Sequence, residues 1–143
     1  MKSLTIKNFI PGIAWFFVVL ILICLPSDEI PQPQKWFDWA RLIRFDSIVH
    51  CCIFGFLSYL FIRPIGRSGS FTNRQKSNHI LKITIATVIW GITTEFIQKF
   101  FIPTRSFELV DWAADCAGAL AAFLLCRRWF LKHGPKSNTA MQS

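Results

Sequence analysis

The amino-acid sequence predicts an all-α fold, a four-helix transmembrane bundle, from three observations. The chain of 143 residues is 52% hydrophobic, and its mean hydropathy of +0.40 is high for a domain of this size. Its apolar residues form four long runs instead of recurring at amphipathic spacing. Each run has about the length that an α-helix needs to cross a ~30 Å hydrocarbon core, where a helix satisfies its own backbone hydrogen bonds.

The first run, residues 9–25, contains no charged residue and predicts the first membrane helix. Lys2 and Lys7 precede it, so a cleaved signal peptide is the alternative interpretation. The run ends in Ile-Cys-Leu-Pro, which lacks the small residues of a cleavage site. Cys24 also follows Ile23, whereas a small residue normally precedes a lipoprotein cysteine. We therefore expect an uncleaved helix.

The second and third runs, residues 45–62 and 80–102, each carry ionisable residues within an apolar stretch. Only Asp46 and His50 interrupt the second run. In the third run, small and polar residues recur every three or four positions and so form one stripe: Thr84, Thr87, Gly91, Thr94, Glu95 and Gln98. Such a stripe is typical of a helix face that packs on other helices, so we expect it to point into the bundle.

The fourth run, residues 109–130, begins only six residues after the third one ends. So short a connection, with Pro103 at its start, predicts two antiparallel neighbouring helices. Ala114, Gly118 and Ala122 recur at four-residue steps, and we expect this small-residue face to receive the polar stripe of the third helix. The four runs form one domain, residues 1–130, and residues 131–143 form a polar cytoplasmic tail.

The segment between the first two runs, "QKWFDWARLIRF", has amphipathic character. Trp36, Trp39 or Ala40, and Ile43 lie on one face of a helix there, opposite Asp38 and Arg41. Aromatic residues of this kind anchor helices at a membrane surface, so the segment predicts an interfacial helix in the first outer loop. Two interpretations stay open: a plain membrane-belt helix, or a lid over a polar site.

The distribution of basic residues predicts the orientation. With both termini inside, the cytoplasmic segments hold eleven of the sixteen Lys and Arg residues and the outer segments hold five. This excess favours an N-in, C-in topology. The cytoplasmic rim then accounts for most of the net charge of +8 through its attraction to anionic lipid, and no nucleic-acid partner is expected.

The acidic residues have the opposite distribution, because all eight fall on the predicted outer side. They are Asp28, Glu29, Asp38, Asp46, Glu95, Glu108, Asp111 and Asp115. At a rise of ~1.5 Å per residue, His50, Glu95 and Asp115 come to roughly the same depth, the outer third of the membrane. Ionisable groups at such depth are costly unless they pair or meet water, so they indicate a shared functional site.

Each part of this pattern also has a purely structural interpretation. Asp46 and His50, four residues apart, suit a local ion pair, and Glu95 with Gln98 suits interhelical hydrogen bonding. Arg105 suits pairing with a neighbouring acid or a lipid phosphate. Asp111 and Asp115 suit the N-terminus of the fourth helix, although Asp115 lies a full turn deeper. The common depth favours the shared site.

Three motifs follow one another along the chain: Asp46-x-x-x-His50, Glu95-x-x-Gln98 and the segment "IPTRSFELVDWAADCAGA". The ordered set resembles the signature of the VanZ-like membrane proteins over about residues 9–130. That family has an Asp-x-x-x-His, a Glu-x-x-Gln, a Pro-x-Arg-Ser segment and an Asp-x-x-x-Asn-x-x-Gly, in this order.

Two positions depart from the family pattern. Ser47 stands where many members have Lys, and Asp115 stands where the family has Asn. The family is named for a protein associated with resistance to teicoplanin, a lipid-tailed glycopeptide antibiotic. The resemblance therefore implies a place in the cell envelope and a link to antibiotic resistance, without a defined reaction.

The candidate site residues follow from the depth argument and the resemblance together. The expected substrate-binding set is Asp46, His50, Glu95, Gln98, Arg105, Ser106, Asp111 and Asp115. If a reaction is catalysed, the candidates for its acid and base are His50, Glu95 and Asp115. One imidazole with several carboxylates suits a hard cation such as Mg²⁺ or Ca²⁺ better than zinc, but the pattern alone predicts no metal site or cofactor.

No activated nucleophile is visible in the sequence. Five possible nucleophiles lie near the candidate site without a motif that would activate them: Ser47, Ser106, Cys51, Cys52 and Cys116. The five cysteines fall within the predicted helices and contain no Cys-x-x-Cys, so they are expected to pack as small apolar residues.

Three functions are compatible with these features. The first is a non-enzymatic envelope protein that binds or excludes a lipid-tailed glycopeptide or a cell-wall lipid. The second is a membrane enzyme acting on a lipid headgroup or lipid-linked precursor, and the third is a structural or assembly partner. The expected location is the bacterial cytoplasmic membrane, with membrane lipids as partners.

Overall fold

The structure is a computed structural model that describes residues 4–24, 45–102 and 107–133, and within these residues it is helical without strands. A short 3-10 helix, Ile6–Phe9, leads into the first of four α-helices. The α-helices are α1, Ile10–Cys24; α2, Phe45–Arg67; α3, Asn73–Phe101; and α4, Leu109–His133. The predicted all-α class with four helices is confirmed.

Four helical stretches are long and apolar enough to cross a membrane: one in each of α2, α3 and α4, and one formed by α1 together with the 3-10 helix before it. Their surfaces are the reverse of those in a water-soluble bundle, because large apolar side chains such as Ile89 and Phe96 are exposed while polar ones are buried. All six residues of the predicted polar stripe on α3, from Thr84 to Gln98, are buried. Lipid can cover the exposed apolar surface, so the arrangement is that of a multi-pass membrane protein.

Three helices extend beyond the apolar runs that predicted them. α3 begins at Asn73 instead of residue 80, because Thr72 and Gln75 form a reciprocal capping box at its N-terminus. α2 continues past residue 62 to Arg67 and contains Pro64. Proline is tolerated in membrane helices more than in soluble ones. α4 ends at His133, three residues into the predicted tail.

Contacts between the helices define their directions. The Trp15 indole on α1 donates to the Ile53 carbonyl on α2 (3.2 Å). The Trp112 indole near the start of α4 donates to the Val88 carbonyl on α3 (3.3 Å). A second contact in each pair fixes its direction: the Phe9 ring just before α1 lies 6.4 Å from that of Phe61 on α2, Ile80 on α3 lies in the same apolar cluster as Cys126 on α4, and a Cβ on Gly66 of α2 would meet the Phe130 ring on α4. With the contact between His50 and Asp115 described below, these contacts make α2 and α4 parallel, and α1 and α3 antiparallel to them.

α2 and α4 form the tightest helix pair because two glycines face each other. A Cβ atom on Gly55 would lie 3.1 Å from the carbonyl oxygen of Gly118, and a Cβ on Gly118 would overlap the carbonyl of Cys51. The expectation that the Ala114, Gly118 and Ala122 face receives α3 is therefore wrong for Gly118, which packs on α2. On α3, Gly91 packs closely against α4, because a Cβ there would lie 2.9 Å from Oδ2 of Asp115.

We call the end of the bundle where α2 and α4 start and α3 stops the acidic end, and the opposite one the basic end. The predicted interfacial helix in the first outer loop lies outside the described residues, as does the tail beyond residue 133.

Candidate functional site

His50 enters the site from the second turn of α2. Its ring is buried and stacks on that of Phe54, one turn further along, at a centroid distance of 6.2 Å and an interplanar angle of 7°. Its Nδ1 atom lies 3.0 Å from Oδ1 of Asp115 on α4. With a proton on Nδ1, the imidazole donates a hydrogen bond to the carboxylate, and with a second proton the two groups form an ion pair.

Asp115 is fully buried in the second turn of α4. Only one of its carboxylate oxygens is engaged by His50. The other, Oδ2, has no hydrogen-bond partner among the described residues. Oδ2 lies against Gly91, where any larger residue of α3 would occupy its space.

Glu95 is fully buried one turn beyond Gly91 on α3. Its Oε2 accepts a hydrogen bond from the backbone N–H of Glu108 at 3.0 Å. Glu108 immediately precedes α4, and its carbonyl accepts the backbone N–H groups of Asp111 and Trp112. The Glu95 carboxylate therefore caps the N-terminus of α4, where the helix dipole favours a negative charge.

These three residues converge although each comes from a different helix. One ligand atom from each of His50, Glu95 and Asp115 can be chosen such that all three lie within 4.8 Å of one another. The expected convergence of these three side chains is therefore found in the structure.

The other predicted binding residues are placed less centrally or are not described. Asp111, one turn before Asp115, is buried and its Oδ1 accepts a hydrogen bond from the hydroxyl of Ser47. Gln98 is buried on α3, and its Nε2 has no hydrogen-bond partner among the described residues. The side chain of Asp46 and the whole of Arg105 and Ser106 lie outside the described part of the chain.

Sequence reasoning missed three contributors to the site. Ser47, which the sequence places near the candidate site but not in the binding set, ties the start of α2 to Asp111. Gly55 brings α2 and α4 together one turn below the site, and the Trp112 indole joins α4 to α3. A hydroxyl three residues before His50 on the same helix was a signal for the first of these, since such residues share a face.

The arrangement can perform three kinds of chemistry. Its carboxylates can bind a cation or accept hydrogen bonds from hydroxyl and amine groups. The pair of His50 and Asp115 can transfer a proton, with the carboxylate orienting the imidazole. A purely structural cluster would instead be fully paired, and the unpartnered Oδ2 of Asp115 argues against that interpretation.

The fold and site define a small helical membrane protein with a buried site of one histidine and two carboxylates. Comparison with protein-family models, curated proteins and solved structures finds no match to the chain.

Proposed function

We propose that this chain is a VanZ-like envelope protein of the bacterial cytoplasmic membrane whose buried cluster binds the polar headgroup of an amphiphile. The observation that supports this proposal is the convergence of His50, Glu95 and Asp115 inside the bundle, with one Asp115 oxygen left without a partner among the described residues. Burial of such groups is costly, and their retention favours a functional role over simple packing.

The chemistry of the cluster indicates which headgroups suit it. Carboxylates form strong hydrogen bonds with ammonium groups and also accept hydrogen bonds from hydroxyls. Lipid-tailed glycopeptides and cell-wall lipids both carry such groups on a sugar or peptide attached to a lipid tail. The apolar exterior of the bundle would accommodate the tail while the cluster holds the headgroup.

A second candidate is an enzyme that acts on a lipid headgroup or a lipid-linked precursor. The contact between His50 Nδ1 and Asp115 Oδ1 favours it, because a carboxylate that orients an imidazole is a recurring acid–base arrangement. In that mechanism Nε2 of His50 would exchange the proton with the substrate.

The experiment compares two substitutions that make the same chemical change. Glu95→Gln removes the buried charge at nearly constant shape. Glu108→Gln is the matched control, because the backbone N–H that Glu108 donates to Glu95 is kept. Wild type and both variants are produced in a bacterium lacking the protein, and the inhibitory concentration of a lipid-tailed glycopeptide and the profile of lipids and cell-wall precursors are measured.

We expect wild type to change either the susceptibility of the cells to the glycopeptide or the amount of one lipid or cell-wall precursor. Glu95→Gln should reach normal abundance in the membrane but cause no such change. Glu108→Gln should behave like wild type. A changed precursor with an altered covalent structure would favour the enzyme, whereas a changed susceptibility with unchanged lipids would favour binding. Full function of Glu95→Gln would show that an ionised Glu95 is unnecessary and would contradict both candidates.

The proposal also places the acidic end at the outer leaflet, with both termini inside. Its support is the excess of Lys and Arg at the basic end. The test introduces one cysteine at Ser70, which is exposed between α2 and α3, into a chain without other cysteines. A membrane-impermeant reagent should label it only in opened cells, and labelling of intact cells would reverse the orientation.

A further inference from the structure

The hydrogen bonds among the described residues satisfy only one of the two carboxylate oxygens of Asp115. Its side chain is fully buried, His50 engages Oδ1, and Oδ2 has no hydrogen-bond partner. A buried carboxylate oxygen is destabilising unless the group is protonated or a water molecule or a cation lies beside it. Oδ2 of Asp115 can therefore accept a further partner, and a cation is the partner that the neighbouring ligand atoms favour.

The distances among the three side chains suit a small divalent cation. An octahedral cation with bonds of ~2.1 Å has adjacent ligands about 3.0 Å apart and opposite ligands about 4.2 Å apart. One ring nitrogen of His50 and one carboxylate oxygen from each of Glu95 and Asp115 lie within 4.8 Å of one another. A closure of less than about 1 Å would bring all three into coordination.

The surrounding backbone fixes the positions of these ligands. Gly91 leaves room for Oδ2 on the α3 side, because a Cβ there would lie 2.9 Å from that oxygen. The contact of Gly55 with Gly118 fixes the separation of α2 and α4 next to the site. Three helices that are each held in this way can supply ligands in a fixed geometry, as a metal site requires.

We infer that His50, Glu95 and Asp115 bind one divalent cation of the Mg²⁺ or Mn²⁺ class. Two carboxylates and one imidazole, with no cysteine in the set, favour these ions over zinc in a closed structural site. Three protein ligands leave the remaining positions of an octahedron to water or to oxygens of a bound headgroup. Cation binding goes beyond the proposed function and would hold whether or not that function is correct.

The test uses the full-length protein, purified in detergent and freed of metal with a chelator. Mn²⁺ is the probe, because its electron spin reports both the number of bound ions and a nitrogen ligand. We expect one Mn²⁺ per chain, displaced by excess Mg²⁺, and a pulsed-resonance signal from a directly coordinated imidazole nitrogen.

Two histidine substitutions form a matched pair. His50→Gln should abolish the nitrogen signal and weaken Mn²⁺ binding by about tenfold or more, as expected for loss of a metal ligand. His79→Gln should retain both, because His79 lies near the start of α3 at the basic end and contacts the Phe71 ring at 4.9 Å. Circular dichroism and the elution volume verify that each variant is folded.

Asp115→Asn provides an independent test of the same inference. It keeps the shape of the side chain, and we expect Mn²⁺ affinity to fall by about tenfold or more. Absence of tight Mn²⁺ binding to wild type would overturn the inference and leave a shared proton between His50 and Asp115 as the explanation. A nitrogen signal that persists in His50→Gln would overturn it as well. Neither measurement requires a bound amphiphile. Failure of the metal site and failure of the proposed function can therefore be distinguished.

Discussion

At the acidic end of the bundle, a histidine and several carboxylates lie inside the protein, whereas at the basic end most charged side chains lie at its surface. His50, Glu95 and Asp115 are buried and converge. Arg63 is half-buried and Lys76 is buried, but the other described basic residues of the opposite end are exposed: Lys7, Arg67, Arg74, Lys82, Arg127, Arg128 and Lys132.

The difference follows from which partners each end can provide. The chain has no acidic residue between Asp46 and Glu95 or after Asp115, so the basic end lacks carboxylates for ion pairs. Its cations are left to extend to water or lipid phosphates, as long basic side chains do at membrane surfaces. The acidic end combines carboxylates with donors such as the Ser47 hydroxyl and the Glu108 backbone N–H, which permit burial.

The same contrast holds for helix packing. Near the acidic end, a Cβ on Gly118 would overlap the Cys51 carbonyl, which belongs to the backbone. Near the basic end, a Cβ on Gly66 would meet the ring of Phe130, a side chain that can rotate away. The acidic end is therefore held by rigid backbone contact and the basic end by adjustable side-chain contact, as a site with fixed ligands would require.

This comparison predicts a large difference between two glycine substitutions. Gly118→Ala should lower the free energy of unfolding by about 3 kcal/mol, because α2 and α4 must separate. Gly66→Ala should lower it by about 1 kcal/mol, since only Phe130 must move. Titration of SDS into detergent micelles, followed by circular dichroism, measures both.

Gly12→Ala is the control for the loss of glycine flexibility in a helix. Its Cβ would lie 3.2 Å from the Phe61 ring, so a small shift of one side chain suffices and stability should change by less than about 0.5 kcal/mol. Equal losses for Gly118→Ala and Gly66→Ala would contradict the view that the two ends differ in rigidity.

Much of the fold was predictable because its causes are local. An apolar run of sufficient length specifies a membrane helix, and the stripe from Thr84 to Gln98 specifies which face of α3 is buried. The convergence of His50, Glu95 and Asp115 followed from the helix rise, since equal depth in a small bundle leaves little lateral distance.

The partner of each face could not be predicted in the same way. Small residues such as Gly118 permit close approach by any neighbouring helix. Only the rotation of α4 about its own axis determines that Gly118 faces α2 and not α3. The bond from Ser47 to Asp111 depends on the same rotation. The early start of α3 had a sequence signal in the capping box of Thr72 and Gln75, but counting apolar residues does not detect it.

Replacement of Lys76 tests whether the basic end contains a buried charge, and its expected effect on stability is smaller than that of Gly118→Ala. It is fully buried near the start of α3, and its Nζ has no hydrogen-bond partner among the described residues. Burial of an unsatisfied polar group is destabilising, so Lys76→Met, which keeps the length of the side chain, should increase the free energy of unfolding by about 1 kcal/mol. Lys82→Met is the matched control on the same helix, because Lys82 is exposed and its replacement should change stability by less than about 0.5 kcal/mol. The SDS titration described for the glycine variants measures both.

A loss of stability in Lys76→Met would mean that Nζ has an anionic partner, such as a lipid phosphate. The basic end would then hold a buried charge as the acidic end does, and the contrast between the two ends would fail at this residue.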